Sequence, residues 1–237
     1  MTANVTTALK SDAAFGLDRS IIRARLADGL TDTKPWSGLS GDYSASEHIP
    51  NEGPVGPPSR PPPSITSVPA PPEVIVNAAV LVALIERDDG YAVLLTERTA
   101  HLSKHAGQVA FPGGRMDPED VDAESCALRE AWEETQLDPQ KVEVLGRLRP
   151  WVTGTGYHIT PVVGAVKPPL NLTPQPREVA DVFEVPLAFF LDPANHRRVA
   201  IDHEGVRRYY YEMPYGDRYI WGATAGMLIS LYNALTL

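Results

Sequence analysis

After about position 73 the chain alternates apolar runs with polar breaks, and the spacing inside each run separates strand from helix. "VIVNAAVLVALIE", from Val74 to Glu86, is a long apolar run rich in β-branched residues. "YAVLLTER" follows it after "RDDG", whose Asp-Gly pair is a hairpin signal, so two antiparallel strands are predicted. "KVEVLGRLRP", "YHITPVVGAV" and "EVADVFEVP" predict further strands, the last leading into a short helix in "LAFFLDPANH" that stops at Asp192-Pro193. "RRVAI" and "VRRYYYEMPY" predict a hairpin turned at "DHEG", and "RYIWG" predicts a last strand. "ATAGMLISLYNALTL" suits a terminal helix packed on a sheet, with too few apolar residues to cross a membrane. Between these, Ala123 to Thr135 has good helix formers and no breaker, with Pro118 before it and Pro139 after it. Strands and helices are interspersed, with hairpins among them, which predicts an α/β sandwich with a mixed sheet.

Composition divides the chain. Of its 23 prolines, ten lie between Pro50 and Pro72, where bulky apolar residues are nearly absent. Residues 50–72 therefore read as an extended, polyproline-leaning linker. Its "RPPP" would also suit an SH3-like partner, but a stiff spacer accounts for the composition. Residues 1–49 form an N-terminal extension with one short helix in "LDRSIIRARLADGL", where Ile21, Ile22 and Leu26 share a face and Gly29 stops the turn. That helix either docks on the main domain or frays. Residues 73–237, about 165 in all, are enough for one compact core.

The net charge of −9 and pI near 5.1 argue against general binding to nucleic acid or anionic lipid, both of which need a basic footprint. An anionic substrate would need metal cations or a few local Arg and Lys. The start lacks a basic n-region with an apolar h-region, no run approaches a membrane span, and a single cysteine suits a reducing compartment, so a cytoplasmic protein is expected. Cys126 reads as helix packing rather than a nucleophile.

At 100° per residue, Glu130, Glu133 and Glu134 fall within an arc of about 100°, with Leu128, Ala131 and Trp132 broadly opposite. The pattern predicts an apolar side toward a core and a carboxylate side facing away from it. On that pattern alone a solvated acidic face is the simpler reading. The glycine pair upstream, Gly113-Gly114 in "AFPGGRMDPED", allows a tight bend and close approach to a ligand or metal, although a plain turn would use it too. Glu130 and Glu134 sit on adjacent turns, about 5 to 6 Å apart by Cβ, and hard oxygen ligands of this kind suit Mg²⁺ or Mn²⁺. Arg129 adjoins them and can hold a carboxylate in a bidentate pair.

"GGRMDPEDVDAESCALREAWEETQL" resembles the signature of the Nudix hydrolases, whose box runs G-x5-E-x7-R-E-U-x-E-E-x-G-U. Gly114, Arg129, Glu130, Glu133 and Glu134 match it. Asp120 stands at the first acidic position, eight residues rather than seven precede Arg129, Ala131 replaces an aliphatic residue, and Gln136 replaces the closing glycine. Ahead of the box, "LLTERTAHLSKHAGQVAFPGG" (Leu94 to Gly114) resembles the second signature of the coenzyme A pyrophosphatase branch, with Thr99 for a small residue and Ser103 for an arginine. Looser similarity covers nearly all of residues 73–237 and none of the first 72.

The resemblance implies a Nudix-like α/β/α sandwich that hydrolyses coenzyme A to 4′-phosphopantetheine and adenosine 3′,5′-bisphosphate with Mg²⁺ or Mn²⁺. It implies Glu130 and Glu134 as principal metal ligands, Glu133 as a further ligand or proton acceptor, Asp120 joining through water, and Gly113 and Gly114 shaping the phosphate loop. Arg98, Lys104 and Arg115 are candidate phosphate contacts, and His105 a candidate substrate contact. The expected partner is a small nucleotide rather than nucleic acid or membrane, and a homodimer is compatible with the sequence. Two alternatives stand beside this: a Nudix pyrophosphatase for NADH or ADP-ribose, and a nucleotide-binding module without catalysis. The complete glutamate trio favours an enzyme.

Overall fold

The computed structural model describes residues 16–29, 36–37, 55–56, 58–60, 75–101, 106–153, 156–203 and 206–236. Among them run helix α1 (Arg19–Gly29), strands β1 (Trp36–Ser37), β2 (Val55–Gly56), β3 (Val76–Arg87), β4 (Gly90–Arg98), β5 (Val109–Ala110) and β6 (Gly113–Arg115), and helix α2 (Ala123–Thr135). There follow β7 (Val142–Arg147), β8 (Trp151–Val152), β9 (Tyr157–Val166), β10 (Val179–Pro186), α3 (Leu187–Leu191), β11 (Arg197–His203), β12 (Val206–Glu212) and α4 (Gly222–Thr236).

The main sheet runs β1-β8-β9-β3-β4-β10, with β5 added to β4, β6 to β3 and β7 to β9. It is mixed: β3 and β9 are parallel from Val76↔Tyr157 to Ile85↔Val166, whereas β3 and β4 form an antiparallel hairpin. Asp88 and Asp89 make the turn of that hairpin, and Gly90 opens β4 at φ 136°. "RYIWG" is not a strand; it makes only the isolated bridges Glu212↔Trp221 and Tyr215↔Arg218.

Both faces of β3 are buried, which explains its unbroken apolar run. Val80, Val82 and Leu84 join a core with Ile22 and Leu26 of α1, Phe190 of α3 and Leu228 and Leu231 of α4. Ala79, Leu81, Ala83 and Ile85 point the other way, against Ala123, Cys126, Ala127 and Ala131 of α2. The result is an α/β/α sandwich. The N-terminal helix is part of it, tied by Arg19 to Glu86 at 2.6 Å and by Arg23 to Glu143 at 2.7 Å. No helix among the described residues is long and apolar enough to cross a membrane.

The β3–β4 pairing is confined to the turn end, from Arg87↔Gly90 to Leu84↔Val93. Beyond it the strands part, and the segment "VAFPGGR" fills the gap, with Thr96↔Ala110 on one side and Val80↔Gly113 on the other. A smaller sheet runs β12-β11-β2, in which Val55 and Gly56, from the proline-rich segment, lie parallel to Arg198 and Val199. Ser59 and Arg60 follow on the surface, and most of residues 50–72 lies outside the described residues.

Candidate active site

The catalytic-type chemistry gathers where α2 crosses the gap between β3 and β4. Helix α2 starts at a capping box in which Asp122 accepts from the Ser125 N–H at 2.8 Å and Ser125 Oγ accepts from the Asp122 N–H at 3.1 Å. It ends at Gln136, whose φ of 59° and ψ of 24° are left-handed and whose N–H donates to the Trp132 carbonyl at 2.9 Å. A glycine-type conformation is thus kept by a glutamine, at about 1 kcal/mol.

Gly113 and Gly114 do not make the expected tight turn. They belong to strand β6, and neither has a positive φ. A Cβ on Gly113 would meet the Ala79 carbonyl oxygen at 2.5 Å and the Val80 Cα at 2.6 Å; one on Gly114 would meet the Glu130 carboxyl at 2.5 Å. Gly113 is required because the β3 backbone passes too close for any side chain, whereas at Gly114 only the movable end of the Glu130 side chain stands in the way.

The helix is also turned differently from its apolar pattern. Trp132, expected in the core, is 44 % exposed, and Glu134, expected to face away, is 5 % exposed. Four small residues on α2, Ala123, Cys126, Ala127 and Ala131, let it lie close to the sheet over Ala79 and Ala83. Nothing there makes room for an indole, and the glycine strand leaves space for carboxylates instead.

Arg129 is the hub of the site. Its Nε and Nη2 donate to the two oxygens of Asp120 at 3.0 and 2.8 Å, its Nη1 to Glu130 at 3.0 Å and Glu133 at 3.4 Å, and its Nη2 also to the Arg115 carbonyl at 3.2 Å. Asp120 accepts the Asp117 N–H at 2.8 Å as well, and this guanidinium holds its carboxyl down at about 2. Both Asp120 oxygens thus brace Arg129, each accepting one of its N–H groups. The paired carboxylates in turn raise the Arg129 pKa.

Glu134 is the least compensated group. Its Oε2 accepts one long bond from the Gly113 N–H at 3.3 Å, and Arg98 Nη1 stands 3.9 Å from its Oε1. Burial pushes its carboxyl up to about 8, with Arg98 and the Gly113 N–H opposing and the charges of Glu130 and Glu178 adding to the rise. Burial also raises Glu130, chiefly against the pull of Arg129. Glu133 is exposed at the rim.

Glu178 escaped the sequence reasoning. It stands in the turn before β10, where its carbonyl accepts the Thr99 N–H at 2.9 Å, and its charge acts on both Glu130 and Glu134. No spacing in the sequence links it to the α2 glutamates; strand pairing alone brings it there. Arg115 is exposed beside the site, while Lys104 and His105 lie outside the described residues. Buried Cys126 has its thiol pushed up to about 11 by burial, as expected for a packing residue.

Among the described residues no three acidic, histidine or cysteine side chains are placed to hold a metal ion between them. The donor chemistry nevertheless fits a hard divalent cation: Glu134 is a buried carboxylate without a full counter-charge, and the Glu130 carboxyl lies against the Gly114 backbone. Beside them the Arg98 Nε is buried with no hydrogen-bond partner among the described residues. That donor is suited to an anionic oxygen.

Residues 76–204 match the NUDIX domain family. The chain is 42% identical over 161 residues to an uncharacterized Nudix hydrolase NudL of Yersinia pestis (strain Pestoides F), covering 68% of this chain and 80% of that protein. Solved structures similar to it include a C. elegans Ap4A hydrolase binary complex, at 19% identity, with 46% of this chain and 80% of that one covered and a TM-score of 0.41. A MutT/nudix family protein from Enterococcus faecalis is 18% identical, with 71% of this chain and 64% of that one covered and a TM-score of 0.43.

Proposed function

The chain belongs to the NUDIX domain family and is a hydrolase of pyrophosphate-containing substrates, and from that premise we propose that its substrate is coenzyme A, free or acylated. Nudix hydrolases generally use divalent metal ions. The observation that carries the reading is the block from Leu94 to Gly114, which resembles the coenzyme A pyrophosphatase signature. It includes the end of β4, all of β5 and the start of β6, and so supplies Arg98 and the glycine strand to the Glu130 and Glu134 carboxylates.

Glu130 and Glu134 are the ligands we assign to Mg²⁺ or Mn²⁺, with Glu133 a third ligand or the acceptor of the water's proton. When bound, the cations neutralise the phosphoanhydride oxygens and acidify the attacking water. Arg129, locked by Asp120, orients Glu130. Arg98, whose Nε–H has no partner among the described residues, and exposed Arg115 take phosphate oxygens. Water oxygen adds to one phosphorus, the bridging P–O bond breaks, and 4′-phosphopantetheine and adenosine 3′,5′-bisphosphate leave.

The test is kcat/KM for coenzyme A, acyl derivatives, NADH and ADP-ribose with the products identified. Coenzyme A or an acyl derivative should exceed the other two by at least about tenfold. Preference for NADH or ADP-ribose would overturn the substrate while leaving the family reading intact.

A further inference from the structure

Trp132, displaced from the core, faces a cleft of about 320 Å³ beside the last turn of α2. Leu137, Leu170 and Leu172 form its apolar wall, and Asn171 and Thr173 add an amide and a hydroxyl. At 100° per residue Trp132 lies roughly 160° around the helix from Glu134, so this is not the hydrolytic site. The two charged residues in the lining, Lys141 and Asp138, have opposite signs and local partners: Lys141 donates to the Pro169 carbonyl, and Asp138 accepts the Gln140 N–H at 2.9 Å. The cleft thus offers an exposed indole face, apolar contact and neutral hydrogen-bonding groups, at the lower end of the size range of small-molecule sites.

The same wall is bonded to the helix turn that carries Glu134. The Thr173 N–H donates to the Thr135 carbonyl and the Gln175 N–H to the Glu134 carbonyl, both at 2.9 Å. These two bonds join residues 173–175 to the backbone of the helix turn that carries Glu134.

We propose that this cleft binds a neutral purine nucleoside by stacking on Trp132, and that its occupancy alters turnover through the 170–175 segment. The coupling rests on the role given to Glu134 above; the binding does not. A purine supplies a flat, uncharged ring with hydrogen-bonding edges, which the lining matches, whereas for the charges of a phosphorylated nucleotide the lining offers the single Lys141 ammonium with Asp138 opposing it.

Full-length, metal-free protein is titrated with adenosine by calorimetry and tryptophan fluorescence. Saturable binding is expected, with a quench of up to about a quarter of the emission, since Trp132 is one of four tryptophans. Trp132→Phe should keep the binding and lose most of the quench, while Trp132→Ala and Leu172→Glu should weaken binding at least about fivefold. The binding of adenosine 3′,5′-bisphosphate that Trp132→Ala removes should be at least about tenfold weaker than that of adenosine, any binding that survives the substitution belonging to the hydrolytic site. With divalent metal and saturating substrate, adenosine should change wild-type kcat at least about twofold and leave the Trp132→Ala enzyme unaffected. No saturable binding, an unchanged Kd in Trp132→Ala, or tighter Trp132-dependent binding of the bisphosphate would overturn the site. Binding with no effect on kcat would overturn the coupling, and loss of hydrolysis alone would leave the binding result standing.

Discussion

Two glutamates are buried among the described residues and they are treated in opposite ways. Glu212, fully buried at the end of β12, accepts the Tyr219 O–H at 2.7 Å and the Ser59 N–H at 3.2 Å, and forms an ion pair with Arg197 Nη1 at 3.1 Å. Glu134, nearly as buried, has one N–H at 3.3 Å and a guanidinium at 3.9 Å. Glu212 is a knot that ties the proline-rich segment to the second sheet. Glu134 is buried with few partners among the described residues, an arrangement that a positively charged ligand would relieve. Burial alone does not separate the two carboxylates; the shortfall in partners does.

That contrast can be broken most sharply by Glu134→Gln. It should lower kcat by about a thousandfold, because the position acts on developing charge, while the metal-free protein melts no lower than wild type. A variant with wild-type kcat would remove the metal assignment. Glu212→Gln should do the reverse, costing about 2 kcal/mol in denaturant unfolding through unsatisfied partners and leaving kcat of the folded protein within about twofold. Equal stability losses in the two variants would erase the distinction.

A smaller effect is expected from Arg129→Lys, which keeps the charge but cannot grip Asp120 through two nitrogens. Turnover should fall about tenfold with Asp120 no longer held. The pH dependence of melting sharpens the comparison further. The Glu134 carboxyl, normally near 4.5, is raised to about 8 in the fold, so its contribution to stability is full below 4.5 and disappears as pH rises through 8. Divalent metal competes with that proton, and should raise Tm more at about pH 8.5 than at about pH 6. Asp120 has the opposite sign: lowered to about 2, it stabilises above its ordinary 3.8 and is lost as pH falls through 2. The smallest change is Gln136→Gly, which should gain up to about 1 kcal/mol by relieving a left-handed residue without altering kcat.

Much of the architecture was legible in the chain because it is local. The α2 boundaries, Ala123 to Thr135, follow from helix formers between prolines, and the β3–β4 and β11–β12 hairpins from apolar runs around short polar turns. The mixed sheet follows from interspersed hairpins and helices, and the Arg129, Glu130, Glu133, Glu134 grouping from helical spacing. What local pattern could not decide was which way α2 faces. The helical arc puts Trp132 opposite the glutamates, but the sheet beneath is paved with Ala79 and Ala83 and the helix with alanines and a cysteine, a gap too shallow for an indole. The glycine pair likewise reads as a turn until β3 and β4 are seen to part around it, and then the need for Gly113 is steric. Glu178 reaches the site only through the pairing of β10 with β4. Sequence spacing determined which residues share an element; packing between elements decided which carboxylate was buried, which aromatic was exposed and how little compensation each received.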